Sequence, residues 1–184
     1  MAHHGKHVGA TIPPLLEDAE SDVLMLGDVP EKMVAGMGRV FGKVAYFGPR
    51  FQGKLRDAAP ARVNPQSGSS IFVIARMHIL PGKAEAFRRL AGDIFAVVDA
   101  KEPGTIAYDW FINADDSEAL VLDIYRDVDA LKAHMGNVGA MMGGMRDLIS
   151  SEVELYGALP ADILAMLSKA PGTRYAGAQL QGII

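Results

Sequence analysis

Two histidines are the strongest candidates for proton-transfer chemistry in this sequence. Histidine has an ordinary pKa close to neutral pH, so it can accept and release a proton during a reaction. We take His134 as the first candidate base and His78 as the second. For each of them the alternative is a structural histidine, with one ring nitrogen hydrogen-bonded and no catalytic role.

Other side chains have types that suit binding of an aromatic molecule. Charged residues on the predicted strands would either orient a phenolic oxygen or form structural ion pairs; they are Arg76, Asp109, Asp123 and Glu154. Trp110, Tyr108 and Tyr125 would either stack on a planar ring or belong to the core. Asn137 either hydrogen-bonds a substrate or separates two helices. Three methionines form an adaptable apolar wall or simply fill the core; they are Met141, Met142 and Met145.

Two short motifs resemble known binding sites, but each lacks a required part. His3-His4-x-x-His7 resembles a metal-binding tract, yet it lies near the terminus without a carboxylate beside it. Gly48-x-x-x-x-Gly53-Lys54 resembles a phosphate-binding loop, yet Leu55 stands where a Ser or Thr is required. We therefore predict no metal site and no nucleotide site.

The composition indicates a folded protein that does not bind nucleic acid. Hydrophobic residues make up 49% and charged residues 22% of the 184 residues, as in ordinary globular proteins. With 18 basic and 22 acidic residues the formal net charge is −4, without the basic excess that phosphate-backbone binding needs. The absence of cysteine excludes disulfides, iron–sulfur clusters and a cysteine nucleophile. Since we find neither an apolar signal-peptide core nor a long apolar run, we expect a cytoplasmic protein.

The candidate residues lie in a region of alternating strands and helices. A stretch rich in Pro, Asn, Gly and Ser over 58–70 is taken as a linker, which places a folded domain at 69–168, an extension at 1–68 and a tail at 169–184. Periodicity predicts, in order, strand 71–79, a helix from Phe87 to Ala100, strands 105–112 and 119–126 around a turn at 113–117, a helix from Val128 to Met135 whose apolar stripe continues to Ile149, strand 152–156 and helix 161–167. This β-α-β-β-α-β order is the ferredoxin-like arrangement of the α+β class.

In this arrangement the helices cover one face of the sheet and leave the other face bare. Alternation assigns residues of three strands to the bare face: Phe72, Ile74, Arg76 and His78; Val121, Asp123 and Tyr125; and Glu152, Glu154 and Tyr156. We expect the same face of a second copy to cover these residues, which gives a homodimer with a polar-lined hollow. Arg76 and Tyr125 should then lie on the same side of the sheet.

Four stretches of this sequence resemble the antibiotic biosynthesis monooxygenase family of the dimeric α/β-barrel superfamily. They are Pro81-Gly82-Lys83; Glu102-Pro103-Gly104-Thr105-Ile106-Ala107-Tyr108-Asp109-Trp110-Phe111; Ile124-Tyr125-Arg126-Asp127 running into Ala130-Leu131-Lys132-Ala133-His134; and Glu154-Leu155-Tyr156-Gly157 followed by Leu159-Pro160. The resemblance covers 71–168. It implies a dimer of ferredoxin-like subunits, each with a small cavity between sheet and helices.

The family includes enzymes that oxidise quinols or polycyclic anthrones with O2 and no cofactor, and relatives that degrade haem. The resemblance therefore implies a cofactor-independent monooxygenase acting on a quinol-like or polycyclic phenolic molecule. Such a reaction needs a base and a dry pocket, because O2 reacts slowly with closed-shell molecules until they become electron-rich anions. His134 lies within a matching stretch and is the implied base. Two departures are Ala75, where haem-degrading relatives have asparagine, and Gly139, where some members have a second histidine.

Two other functions remain open at this stage. One is a non-catalytic interaction subunit, attached to a larger assembly through the extension and the tail; the other is a haem-binding module. The segment 32–56 holds six basic residues and no acidic one, and the apolar residues from Met33 to Phe47 follow helical spacing. It predicts a helix, a broken helix or an irregular arm, which would lie on an anionic membrane, on a partner protein or on its own barrel.

Overall fold

The computed structural model describes residues 22–41, 43–48, 50–53 and 70–177. The chain divides into two units, one up to Pro49 and one from Arg50. No helix within the described ranges is both long and apolar enough to cross a membrane. The histidine tract at 3–7, the predicted linker up to residue 69, the basic residues at 54 and 56 and the chain beyond 177 lie outside these ranges.

The first unit is a small β-α-β arrangement. Strands β1 (Asp22–Leu26) and β2 (Lys43–Phe47) pair in parallel, and helix α1 (Glu31–Phe41) connects them. Helical spacing predicts helix or irregular chain up to Phe47, but the helix ends at Phe41 and the next residues form β2. Val44, Tyr46 and Phe47 are β-branched or aromatic, and such residues favour a strand. The basic segment 32–56 is therefore not one helix.

The second unit is built on a six-stranded sheet. Its elements are β3 (Arg50–Gly53), β4 (Ile71–Ile79), α2 (Ala84–Lys101), β5 (Thr105–Ile112), β6 (Glu118–Tyr125), α3 (Val128–Met145), β7 (Ile149–Tyr156), α4 (Ala161–Leu167) and β8 (Thr173–Tyr175). The strand order is β3-β5-β6-β4-β7-β8, with β7 and β8 parallel and the other neighbours antiparallel. From β4 to β7 the elements follow the order β-α-β-β-α-β, so the predicted ferredoxin-like fold is confirmed.

Both edge strands come from outside the predicted domain 69–168. β3 pairs with β5 at one edge of the sheet, and β8 pairs with β7 at the other edge. Residues 50–53, which the prediction assigns to the extension, and residues 173–175, which it assigns to the tail, are thus part of the same sheet.

The main core lies between one face of the sheet, here called the inner face, and helices α2 and α3. Strand residues of this core are Ala75, Met77 and Ile79 of β4, Tyr108, Trp110 and Ile112 of β5, and Ala119 and Val121 of β6. They pack against Phe87, Ala91, Ile94 and Val98 of α2 and against Val138 and Met145 of α3. The spacing of these helical residues forms one apolar stripe, as expected for a helix that covers a sheet.

The opposite, outer face carries a different set of β6 residues from the predicted one. Across β4 and β6, the pairs on the outer face are Phe72–Ile124, Ile74–Leu122 and Arg76–Leu120. The assignment of Val121, Asp123 and Tyr125 to the bare face is therefore wrong, and Arg76 and Tyr125 lie on opposite sides of the sheet. β6 is apolar at both alternating positions, so alternation puts its one interior charged residue on the wrong face.

The second long helix and the strand after it also differ from the prediction. α3 is one continuous helix, so Asn137 lies inside it and does not separate two helices. The apolar stripe ends before Ile149, because Ile149 pairs with Ile79 and begins β7. The predicted start of α3 is confirmed, since Asp127 accepts a hydrogen bond from the backbone N–H of Ala130 at 2.9 Å.

β7 ends at a glycine that no other residue can easily replace. Gly157 has a φ of +121°, and a Cβ there would lie 2.6 Å from the carbonyl oxygen of Ser70. Both the backbone conformation and the lack of space require glycine.

We expect Gly157→Ala to lower the free energy of unfolding by about 2 kcal/mol, through backbone strain and the clash with Ser70. The matched control is Gly139→Ala in α3, where a Cβ would meet no atom within 4 Å and where alanine should stabilise the helix by about 0.5–1 kcal/mol. Urea denaturation of the two variants measures both effects. Equal stability of the two variants would contradict this description of the turn.

Candidate active site

The inner face holds a polar cluster around a histidine and a buried carboxylate. Nδ1 of His134 lies 3.0 Å from Oε2 of Glu102, and the exposed fractions of the two side chains are 13% and 1%. Oε2 also accepts a hydrogen bond from the hydroxyl of Thr105 at 2.8 Å, and Oε1 accepts one from the amide of Asn137 at 3.3 Å. The cluster thus presents the imidazole towards the surface and the carboxylate towards the interior.

The two halves of this pair come from elements that approach each other closely. Glu102 is the C-cap of α2, immediately before the turn into β5. His134 and Asn137 are three positions apart on α3, so they share one face of that helix. A Cβ at Gly104 would lie 2.7 Å from the Cβ of Ala130. The glycine therefore lets the turn after α2 touch α3, and this contact brings Glu102 within reach of His134.

Aromatic rings enclose the imidazole. The ring centroid of His134 lies 5.4 Å from that of Tyr108 and 5.2 Å from that of Tyr125. Trp110 continues the aromatic wall, with its ring 5.7 Å from that of Tyr108 in an edge-to-face arrangement. The indole Nε1 is buried beside the Tyr108 side chain, so Trp110 belongs to the interior of the wall.

A second carboxyl group, Asp123, is buried beside the pair. It is 6% exposed; Oδ2 accepts a hydrogen bond from the hydroxyl of Tyr125 at 3.2 Å, and Oδ1 has no partner among the described residues. Burial raises the pKa of Asp123 to about 7; the positive charge of His134 and the Tyr125 hydrogen bond oppose this rise, and the carboxylates of Glu102 and Asp109 add to it. Asp123 therefore changes its charge close to neutral pH.

Glu102, Tyr108 and Tyr125 keep one charge state at neutral pH. Burial alone would raise the pKa of Glu102, but hydrogen bonds from His134, Thr105 and Asn137, with the charge of His134, outweigh burial and lower that pKa. Burial and the neighbouring carboxylates raise the pKa of Tyr108 and of Tyr125 well above the usual range. Glu102 is thus an anion, and both tyrosines are neutral.

This arrangement fixes which nitrogen of the histidine can act as a base. An ionised Glu102 can only accept a hydrogen bond, so the neutral imidazole carries its hydrogen on Nδ1. Nε2 then holds the lone pair, and no described residue donates a hydrogen bond to it. When Nε2 takes up a proton, the carboxylate on the other side of the ring stabilises the positive charge.

The cluster brings together six of the eight predicted site residues. Besides His134 they are Tyr108, Trp110, Asp123, Tyr125 and Asn137. Asp123 is among them although the prediction put it on the bare face.

The other two predicted residues lie on the outer face. The side chain of His78 is 63% exposed and its Nδ1 lies 3.2 Å from a carboxylate oxygen of Glu118. Arg76 sits on the same face of β4, and Glu154, also on that face, binds Tyr156 and Arg174. The predicted polar patch of Arg76, Asp109, Asp123 and Glu154 is therefore divided by the sheet, with Asp123 on the other side.

Sequence reasoning missed Glu102 and Thr105. Both belong to the Glu-Pro-Gly-Thr turn, which is part of a family-like stretch and a helix–strand boundary but to which the sequence analysis gives no role in a site. One physical signal was present: a carboxylate at the C-terminal end of a helix faces the negative end of the helix dipole. A carboxylate in that position needs specific partners, and His134, Thr105 and Asn137 supply them.

Comparison with known proteins agrees with this fold. Residues 70–139 match the family described as antibiotic biosynthesis monooxygenase. MupZ from Pseudomonas fluorescens is similar over 63% of this chain and 95% of its own, with 19% identity and a TM-score of 0.51. A variant of SnoaB, a cofactor-independent oxygenase from Streptomyces nogalater, is similar over 50% of this chain and 96% of its own, with 20% identity and a TM-score of 0.43.

A third solved structure, a conserved protein from Methanosarcina mazei Go1, covers 50% of this chain and 94% of its own, with 21% identity and a TM-score of 0.44. No curated protein matches the sequence. Of these likenesses, the one to MupZ supports the fold. The matched stretch of the family contains the whole polar cluster, from Glu102 to Asn137. From residue 70 to residue 139, this chain carries a domain of the antibiotic biosynthesis monooxygenase family.

Proposed function

We propose that this protein is a cofactor-independent monooxygenase that oxidises a quinol-like or polycyclic phenolic molecule with O2, using His134 as the general base. The His134–Glu102 pair carries the proposal, because it leaves Nε2 as a base beside two neutral aromatic walls. The family match supports a monooxygenase-type function. The substrate class is the one that the resemblance of the four stretches to this family implies.

The base makes the substrate reactive towards O2. Nε2 takes the proton of a phenolic hydroxyl, and the resulting anion passes an electron to O2 far more readily than the neutral phenol does. The two radicals combine at a ring carbon that bears one hydrogen and shares the negative charge of the anion, and the proton on Nε2 passes to the outer oxygen, which gives a hydroperoxide. Loss of water, formed from the C–H hydrogen and the outer OH group, leaves a carbonyl, so that the C–H, the phenolic hydrogen and O2 become C=O and H2O. The substrate supplies all four electrons, and no further reductant is needed.

The tyrosines beside His134 leave it as the base of the cluster. Tyr108 and Tyr125 are neutral and buried, and the hydroxyl of Tyr125 already donates to Asp123, so neither tyrosine competes for the proton of a substrate. Asn137 is exposed and adjoins Glu102, so its amide is positioned to meet a ligand that approaches His134 from the surface. These contacts would hold the phenol with its hydroxyl towards Nε2.

We also propose that the protein acts as a homodimer that packs through the outer face of the sheet. Four apolar side chains of this face are only partly buried within one chain; they are Phe72, Ile74, Leu122 and Ile124. A contiguous apolar sheet face is costly in water, and a two-fold axis would cover it with the same face of a second copy.

Replacing the base should remove oxygen consumption. For His134→Gln we expect turnover with a panel of hydroquinones and anthrones to fall by about 10²–10⁴-fold, the usual contribution of a general base. Glu102→Gln should also lower turnover, because a neutral amide no longer stabilises the protonated imidazole. Asp93→Asn is the control and should be unchanged, since Asp93 is exposed on α2, away from the cluster and from the outer face. Oxygen-electrode traces that are equal for wild type and His134→Gln, or no uptake above buffer, would refute the proposal.

Asp123 should make stability depend on pH. The pKa of Asp123 is near 4 in the unfolded chain and is raised to about 7 in the folded state. Its contribution to the free energy of unfolding is therefore fully present below pH 4 and is lost as the pH rises to about 7. In Asp123→Asn the side chain does not ionise, so stability is no longer lost as the pH rises. The amide oxygen still accepts a hydrogen bond from the hydroxyl of Tyr125. We expect the variant to gain stability over wild type between pH 5 and pH 8, by on the order of 2–4 kcal/mol.

Urea denaturation at both pH values measures this gain. Three charged groups affect the same titration, namely Glu102, Asp109 and His134, so the comparison is made between variant and wild type at each pH. Asp93→Asn is the control, because Asp93 is exposed on α2. A pH profile that is the same in Asp123→Asn and wild type would contradict the raised pKa.

The dimer can be tested with one charge on the outer face. Ile124→Lys brings two ammonium groups into the proposed interface, and we expect the dimer dissociation constant to rise by at least about tenfold. Ala140→Lys places the same charge on the exposed side of α3 and should leave the dimer intact. Sedimentation velocity measures both variants, and circular dichroism confirms that they fold. A wild-type protein that is monomeric at micromolar concentration would exclude the dimer.

A further inference from the structure

The second unit contains a groove that the proposed reaction does not use. It lies between the C-terminal end of α3, β7 and the segment from α4 to β8, and its volume is about 720 Å³. Sites for small organic ligands have volumes of roughly 300–1,000 Å³. We call it the methionine groove, after three residues that line it: Met142, Met145 and Met166.

The lining of the methionine groove is mainly apolar and adaptable. Besides the three methionines it includes Ile149, Val153, Ala170 and Pro171, with two hydroxyl residues, Ser151 and Thr173. Met166 is 41% exposed, so its side chain is accessible at the rim of the groove. Methionine side chains adjust their shape to a ligand and contact aromatic rings favourably.

The charged residues of the groove are all basic. Arg146 and Lys169 belong to its lining, and the lining includes no aspartate or glutamate. Neither cation forms an ion pair with a carboxylate of the described residues. This contrasts with the chain as a whole, which has more acidic than basic residues. Two unpaired cations beside an apolar surface are complementary to a ligand with an apolar body and one acidic group.

Stabilisation of helix ends accounts for these charges only in part. Arg146 follows the last turn of α3 and Lys169 follows α4, where cations interact favourably with the helix dipole. The dipole explains why a cation lies at either helix end. It does not explain why both border one apolar groove without a carboxylate.

The groove is separate from the His134 cluster. Met142 and Met145 are eight and eleven residues beyond His134 on α3, a rise of about 12–16 Å along the helix axis. The last described residues, 173–177, also lead away from the groove. β8 runs parallel to β7, and Gly177 accepts a hydrogen bond from Gly157, at the opposite end of β7 from Ile149.

We propose that the methionine groove binds a small amphiphilic organic acid, whose apolar body lies on Met142 and Met166, above the buried Met145, and whose anionic group is held by Arg146 and Lys169. This inference does not depend on the proposed oxygenase activity. The occupant is a small molecule rather than a second copy, because the groove is concave and lies on the helix side of the sheet.

A pair of fluorescent probes tests both parts of the proposal. Anilinonaphthalene sulfonate and phenylnaphthylamine share the same aromatic body, and only the first carries an anionic group. We expect the full-length protein to bind the sulfonate about tenfold or more tightly than the neutral probe, and a double variant, Arg146→Gln with Lys169→Gln, to remove this preference. Arg39→Gln, which removes a cation from the last turn of α1, should leave it unchanged. Ala170→Trp should weaken the binding of both probes by filling the groove.

Nuclear magnetic resonance of methyl-labelled methionine locates the probe. Binding of the sulfonate should shift the methyl signals of Met142, Met145 and Met166, and leave those of Met25 and Met33 in the first unit unchanged. Three results would overturn the proposal: equal affinity for the two probes, the same affinity in the double variant as in wild type, or methyl shifts confined to methionines outside the groove. Loss of oxygen uptake in His134→Gln with unchanged probe binding would leave the groove proposal standing.

Discussion

The burial of the Glu102 carboxylate is the constraint on which the rest of the site depends. A carboxylate that is 1% exposed at the negative end of a helix is unstable without donors. Its donors come from β5 and α3, through the hydroxyl of Thr105, the imidazole of His134 and the amide of Asn137. One buried charge thus ties the end of α2 to the start of β5 and to α3. The same hydrogen bonds select the tautomer of His134, so the structural requirement and the chemical consequence cannot be separated.

Each face of the sheet includes residues that the stability of one chain does not explain. The inner face holds the apolar core and also Asp123 with the polar cluster, whereas the outer face carries Leu122 and Ile124 beside the charged residues Arg76 and Glu154. A buried carboxyl group without a full set of partners costs stability, and Asp123 lowers this cost by staying protonated up to about pH 7. Both features point to function, because a sheet selected only for the stability of a monomer would have its acid outside and its leucines inside.

Local periodicity predicts the positions of the strands and helices well. It predicts less well which face of the sheet each strand residue lies on. The limits of β4 and β5 and the cap at Asp127 follow from alternation and from turn residues, which are local properties. Alternation does not determine which β6 residues lie on the inner face, because both alternating sets of this strand are apolar. Only the tertiary contacts of Asp123 with Tyr125 and His134 place Asp123 on that face. Ile149 was assigned to a helix for the same reason: an apolar residue after a helical stripe fits either element until its partner, Ile79, is known.

Sequence analysis predicts a site residue when its side-chain type alone suggests the chemistry, as for His134. It misses a residue whose role depends on a partner distant in sequence, as for Glu102. His134 is recognisable because few side chains act as a base near neutral pH. Glu102 is not, since nothing local indicates that a residue 32 positions earlier lies 3.0 Å from the imidazole. Pairs that are distant in sequence depend on the packing of α2 against α3, and that packing depends on details such as the space left by Gly104 beside Ala130.

Opposite electrostatic characters distinguish the two ends of α3. In the first half of α3, His134 lies beside the ionised Glu102, and this negative charge disfavours a ligand that arrives as an anion. Near its end, Arg146 and Lys169 favour a ligand that is already an anion. At physiological pH a phenol is neutral and an organic acid is ionised. The charges at the two proposed sites would therefore favour different ligands before either ligand binds. One rigid helix carries both sites, so each can hold its own ligand without a change in the fold.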